Sequence, residues 1–288
     1  MCGSNINEHT ILGKRLNKSQ GAFPQKKTGI TTTIVRCNNC QLVFSNPLPI
    51  PANLQDHYGV PPENYWKPEY FEMDPNYFKN EIETLKTLKK IELNTKALDI
   101  GAGLGKCMIA LKNAGFDAYG LEPSKPFYQQ AIDKLHIPEG KLKLCSIEEA
   151  EYPENEFDFI TFGAVLEHLY DPSDSIKKAI KWLKPGGIVH IEVPSSKWFI
   201  NKLINFAYNI RGLDYVGNIS PMHTPFHLYE FGIKSFELNG KANKYSIIHQ
   251  QHFVCETYMP KVIDVITKPY MKMTNTGMQL VVWLKKDQ

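Results

Sequence analysis

The sequence predicts an α/β fold: a mostly parallel sheet of seven strands, covered by helices on both faces, with the last strand antiparallel. Three observations carry this reading. Short apolar runs alternate with helix-patterned stretches of 10–15 residues from about residue 80 onward, which is the signature of successive strand–helix units. The apolar run Ala97–Ile100 passes directly into Gly101-Ala102-Gly103-Leu104-Gly105, with a glycine at every second position. Two apolar stretches, Tyr245–Val254 and Met278–Leu284, close the chain as paired strands.

The elements follow in order. Residues 1–50 are polar and interrupted, and contain Cys37-Asn38-Asn39-Cys40. Residues 51–80 are rich in proline and aromatic residues, among them Tyr58, Tyr65, Trp66, Tyr70, Phe71, Tyr77 and Phe78. So many aromatic rings do not stay exposed, so this segment reads as a connector or lid over another domain, with Tyr65, Trp66 and Tyr70 as lid residues. Residues 81–288 then form the main domain. Ile82, Leu85 and Leu88 mark a helix, Lys96–Ile100 a buried strand and Gly105–Ala114 a helix. Ala118–Glu122 is a strand, Ser124–Leu135 a helix with Ser124 as its N-cap, and Lys141–Leu144 a short strand. Phe157–Phe162 is a stronger strand and Ser173–Leu183 a helix, stopped by Lys184-Pro185-Gly186-Gly187. Ile188–Val193 is a strand closed by Pro194, and helices and loops run on to about residue 242.

Composition excludes several classes. The chain has 288 residues, of which 42% are hydrophobic and 22% charged, as in an ordinary globular protein. A net charge of +3 without blocks of like charge argues against nucleic acid as a partner. No apolar run reaches the ~18 residues of a membrane helix, so no membrane insertion is expected. Without the order of a signal peptide either, the chain reads as cytoplasmic. In that compartment the six cysteines read as free thiols or metal ligands before disulfides.

The glycine turn admits three readings. A phosphate loop requires Gly-Lys-Ser/Thr with a glycine five positions earlier; here Cys107 follows Gly105-Lys106, and Ile100 stands where the first glycine belongs. A nicotinamide fingerprint puts its third glycine three residues after the second, where this chain has Lys106. The third reading is a resemblance. Asp99-Ile100-Gly101-Ala102-Gly103-Leu104-Gly105 resembles the acidic-x-Gly-x-Gly-x-Gly motif of class I S-adenosylmethionine-dependent methyltransferases, which have a Rossmann-like fold. The resemblance extends through Gly120-Leu121-Glu122-Pro123-Ser124, Glu154–Asp158, Val165-Leu166-Glu167-His168-Leu169 and Leu183–Gly187.

The resemblance implies the cofactor S-adenosyl-L-methionine. Gly101, Gly103 and Gly105 let the backbone approach its amino-acid end, and the following helix N-terminus favours a carboxylate. Glu122 stands 21 residues after Gly101, where a carboxylate accepts the ribose hydroxyls. Asp99 orients the amino group, Ser146 and Ile147 flank the adenine, and Phe162 and Ala164 close the fourth-strand end. Ser146 replaces the acid that often meets the adenine amino group in this family. For the chemistry, a positioned base is wanted when the nucleophile is an oxygen or nitrogen. The candidates are Glu167 and His168 after the fourth strand, and His223 and His227 in a loop where the family places acceptor contacts. His168 and His227 are equally readable as structural histidines.

Arg36–Pro47 resembles the zinc-ribbon-like N-terminus of some bacterial sugar methyltransferases. That implies a structural Zn2+ on Cys37, Cys40 and Cys2, with His9 or His57 as a possible fourth ligand. It also implies a small, sugar-derived acceptor, methylated on a hydroxyl, in surface-glycan or secondary-metabolite biosynthesis. Two other classes stand beside this one: a zinc-bearing scaffold without catalysis, and a nicotinamide-dependent sugar-modifying enzyme.

Overall fold

Residues 1–5, 8–17, 31–50, 66–93, 95–223, 225–255, 257 and 259–287 are described by a computed structural model. Three strands come first: β1 (His9–Leu16), β2 (Thr31–Cys37) and β3 (Val43–Ser45). They are followed by α1 (Lys79–Leu88), β4 (Lys96–Ile100), α2 (Lys106–Asn113), β5 (Asp117–Glu122), α3 (Lys125–Asp133) and β6 (Leu142–Leu144). Then come β7 (Phe157–Gly163), α4 (Pro172–Trp182), β8 (Leu183–Pro194), α5 (Phe199–Ile210) and β9 (Tyr229–Glu230). The chain closes with α6 (Ile233–Asn243), β10 (Tyr245–Phe253), α7 (Lys261–Thr274) and β11 (Gln279–Lys286).

The larger sheet has seven strands in the order β10-β11-β8-β7-β4-β5-β6. Strands β8, β7, β4, β5 and β6 run parallel, and β11 lies antiparallel to both β8 and β10. Adjacent residues on a strand enter opposite cores, as strand geometry requires. Leu98 and Ile160 pack in one apolar cluster with Ile176 and Trp182, while Ala97 and Phe159 pack in the other with Leu111 and Trp283. Both faces are therefore buried, which is why these strands read as continuous apolar runs.

The order reverses at β4, which pairs with β7 on one side and β5 on the other. The loops leaving β4 and β7 consequently diverge, and a crevice opens at the carboxyl ends of the strands.

A second sheet of four antiparallel strands has the order β1-β2-β3-β9. Its last strand comes from the far end of the chain, with Val43 opposite Glu230 and Phe44 opposite Tyr229. Further bonds fix it to the core: Ser235 Oγ donates to the Cys40 carbonyl (3.0 Å) and Arg15 Nε to the Ile219 carbonyl (2.6 Å).

Several local expectations change. Ser124 occupies the N-cap of α3, but its side chain makes no capping bond. The cap that does form belongs to α4, where Asp171 accepts from the Asp174 amide (2.9 Å) ahead of Pro172. Lys184–Gly187 do not separate α4 from the next strand, because β8 begins at Leu183 and pairs with Phe157. The helix α7 between the closing strands is an addition to the expected pattern.

Candidate active site

The turn after β4 builds one wall of the crevice. Gly101 has φ +71°, and a Cβ there would lie 2.6 Å from Cγ2 of Val165, so any side chain is excluded on both counts. Gly103 faces open space instead, and its amide donates to Glu122 Oε2 (2.7 Å). Glu122 Oε1 accepts from the Ser124 amide (2.7 Å). Two backbone donors thus hold the carboxylate at the end of β5, and each oxygen keeps a further lone pair.

The cleft beside Glu122 has a volume of about 260 Å³. Its floor and walls include Leu121, Phe127, Ile147, Val165 and His168, with Ser146 and Ala164 at the edge. A carboxylate with spare lone pairs, beside a flat apolar slot and an open glycine, suits a ribose with an attached planar base. Phe127 was not apparent from sequence; it sits on α3 and meets Trp66 edge-on, with ring centres 5.1 Å apart. Trp66 thus touches a residue of the cleft wall without lining the cleft itself. Tyr65 lies outside the described residues, and Tyr70 is exposed.

Three of the expected cofactor residues, Asp99, Phe162 and Gly105, do not line the cleft. Phe162 is wholly buried in the core, because its side chain leaves β7 on the helix-packed face. Gly105 starts α2, and a Cβ there would collide with Ile137 at 2.7 Å, so it serves close packing rather than the cleft.

The acids of the site are held above the ordinary carboxylate range. Burial raises Glu122 to about 7, opposed by its two backbone donors. Burial, and then the charge of Glu122, raises Asp99 to about 8, opposed by a hydrogen bond with Cys107. Asp99 is buried and is not among the residues that line the cleft.

On the other side of the crevice, Glu167 and His168 occupy a short 3-10 turn after β7. The loop before β9 brings His227 to them. The His168 and His227 ring centres are 5.1 Å apart, and Glu167 Oε1 lies 4.0 Å from His168 Nε2 and 3.9 Å from His227 Nε2. His168 Nδ1 donates to the Phe226 carbonyl (3.2 Å), which leaves the lone pair of the neutral ring on Nε2. Burial raises Glu167 to about 8, and burial together with His168 lowers His227 to about 4. Near neutral pH His227 is therefore uncharged. His223 stands apart from this group: its Nε2 meets the Arg15 guanidinium (3.1 Å), which fixes it as an acceptor on the N-terminal sheet.

The three N-terminal cysteines also converge. Cys2 Sγ lies 3.6 Å from Cys37 Sγ, the Cys40 amide points at Cys37 Sγ (3.5 Å), and all three sulfurs lie within 4.8 Å of one another. His9 is outside this group and packs edge-on against Phe44, while His57 lies outside the described residues.

A turn of glycines, an acid at the end of the second strand of the parallel sheet and a crevice at the switch point suit a nucleoside-bearing cofactor. A family model described as "Methyltransferase domain" matches residues 76–253. The chain belongs to that family and is an S-adenosylmethionine-dependent methyltransferase. Family membership sets aside both the scaffold and the nicotinamide readings.

The chain is 27% identical over 201 residues to the ubiquinone biosynthesis O-methyltransferase of Bordetella avium, covering 66% of this chain and 77% of the relative. It is 30% identical over 182 residues to the enzyme of that name from Coxiella burnetii, covering 61% and 73%. Among solved structures, it resembles a Haemonchus contortus phosphoethanolamine-type N-methyltransferase with S-adenosylhomocysteine bound: TM-score 0.56, 15% identity, 83% of this chain and 62% of that one. A Listeria monocytogenes S-adenosylmethionine-dependent methyltransferase gives TM-score 0.50 and 15% identity, covering 75% and 100%. These two structures speak for the fold. Among the described residues, no helix is long and apolar enough to cross a membrane.

Proposed function

We propose that the enzyme methylates a hydroxyl oxygen of a small-molecule acceptor, with the His168–His227 pair taking up the hydroxyl proton. The observation behind this reading is the cluster itself: two imidazoles in contact, with one buried carboxylate 3.9–4.0 Å from both. Bound S-adenosylmethionine supplies a methyl group on a cationic sulfur. In this reading Glu122 accepts from the ribose hydroxyls, Asp99 faces the amino group, and Leu121, Phe127, Ile147 and Val165 enclose the base. The remaining work is to bring the acceptor oxygen in line with the methyl and to remove its proton.

The relatives named O-methyltransferases support oxygen as the nucleophile. The relatives' names place their reaction in ubiquinone biosynthesis, and a phenolic acceptor is the reading this supports. The sugar acceptor expected from the cysteine segment finds no support in the relatives' names.

The cysteine cluster enters the same proposal as a structural zinc site. Three thiolates would hold the ion, with the fourth ligand unassigned, and the metal would clamp Cys2 to the β2–β3 turn. It lies on the N-terminal sheet rather than in the cleft, so it takes no part in the transfer.

The test is formation of S-adenosylhomocysteine with two acceptor sets, catechol acids and nucleotide sugars. Turnover on the phenols supports the proposal, and turnover on the sugars alone overturns it. With an accepted phenol, His227→Ala should lower kcat about 10²–10⁴-fold while cofactor affinity stays within a few-fold. A variant within a few-fold of the parent in turnover would leave His227 as a loop-docking residue.

A further inference from the structure

Helix α7 is apolar on the wrong side. Its inward face is centred on the buried Thr267 and Met271, with Asp264 beside them. Yet Val262 (82% exposed), Val265 (74%), Ile266 (74%) and Met273 (77%) recur at the spacing i, i+3, i+4, i+11. At 100° per residue they form one stripe diametrically opposite the buried one. Helix α5 repeats the arrangement with Leu203, Phe206 (63%) and Ile210 (71%) at i, i+3, i+7. The helices share a seam around Trp198, Ile200 and Met271, and Phe199 meets Tyr270 with ring centres 4.7 Å apart, so the two apolar surfaces adjoin.

The charge on these helices is one-sided. Lys261, Lys268 and Lys272 line one flank of the α7 stripe, and Lys202 lies beside that of α5. The only acid on either helix, Asp264, is turned inward to Thr257 and Thr267 and pairs with Lys268 (3.5 Å). Apolar side chains with lysines along one flank, of which Lys268 is paired with Asp264, match the pattern of a helix that lies in the interface of an anionic bilayer.

We propose that α5 and α7 form a docking face for an anionic lipid surface, with the stripe side chains entering the headgroup boundary and the lysines meeting lipid phosphates. Neither helix crosses the bilayer. The proposal does not depend on the identity of the methyl acceptor.

The experiment is sedimentation of the full chain with vesicles of phosphatidylcholine alone, or with about 30 mol% phosphatidylglycerol, at low and high salt. Binding to the anionic vesicles, weakened by salt, is expected. The double variant Val265→Ser with Ile266→Ser should reduce that binding about tenfold or more. Its melting temperature and its affinity for S-adenosylhomocysteine should be unchanged, since both side chains are already exposed. Lys261→Glu with Lys272→Glu should abolish the preference for anionic lipid. No binding to anionic vesicles overturns the proposal, as does equal binding to both compositions. It is also overturned if the parent is a dimer in light scattering that Val265→Ser with Ile266→Ser dissociates while vesicle binding persists; the face would then join two copies.

Discussion

Asp99→Asn should make the protein more stable and a poorer cofactor binder, and pH should reveal why. The side chain is 4% exposed at the end of β4, and burial lifts its carboxyl from 3.8 to about 8. A carboxyl raised on folding contributes stability that is fully present below its unfolded value and lost as pH rises through its folded value. The parent should therefore lose stability between about pH 4 and pH 8, while an asparagine of the same shape has no charge to bury. A shift of about four units at 1.36 kcal/mol each gives an upper bound of about 5 kcal/mol at pH 8. Relaxation around the charge brings the expected gain to the order of 3–5 kcal/mol, or roughly 6–10 °C in Tm for a chain of this length. At pH 5 most of the gain should vanish. Loss of a charged partner should weaken S-adenosylhomocysteine binding by about 1.5–3 kcal/mol, roughly 10- to 150-fold. Thermal unfolding of both proteins at pH 5, 7 and 8.5, with and without S-adenosylhomocysteine, measures every quantity. A stability difference independent of pH, or a variant less stable at pH 8.5, would refute the assignment of Asp99 as a buried titrating acid.

Three further outcomes are expected. Glu122→Ala removes the acceptor locked by the Gly103 and Ser124 amides and should weaken cofactor binding by about 1–3 kcal/mol in calorimetry; unchanged affinity would place the ribose elsewhere. Gly101→Ala sets a Cβ 2.6 Å from Val165 at φ +71°, and should lower stability by about 1–3 kcal/mol in denaturant unfolding. Protein prepared without chelators should carry about one equivalent of zinc, and Cys37→Ser should lose it while keeping cofactor affinity; metal analysis of both proteins decides.

The parallel sheet was legible because its central strands, β4, β7 and β8, are buried on both faces and read as apolar runs, whereas β6 keeps only Leu142 buried. The glycine turn and Glu122 were legible because their chemistry constrains residue type at fixed spacing. Other parts carried no such signal. Strands β3 and β9 are too short for a period, and exist because they pair with each other across the chain. Helix α7 contains Pro269, which normally ends a helix, and its apolar residues occupy both faces, which blurs the stripe. In the site, sequence brought His223, His227 and His168 forward together, but only tertiary structure separates the histidine bound to Arg15 from the pair beside Glu167. Phe162 lies in the core and Ala164 beside the cleft, a division set by the alternation of β7 and by the turn at its end.

The pairing of β3 with β9 has a consequence for biogenesis. The N-terminal sheet lacks its fourth strand until residues 229–230 have been translated. The roughly 190 intervening residues take about 10–40 s to synthesise at 5–20 residues per second. Throughout that interval Val43–Ser45 is an unpaired edge, and the Cys40 carbonyl has no Ser235 to bind. The thiols of Cys37 and Cys40 thus emerge from the ribosome long before the late segments, such as that of Phe231 and Ser235, that pack around them.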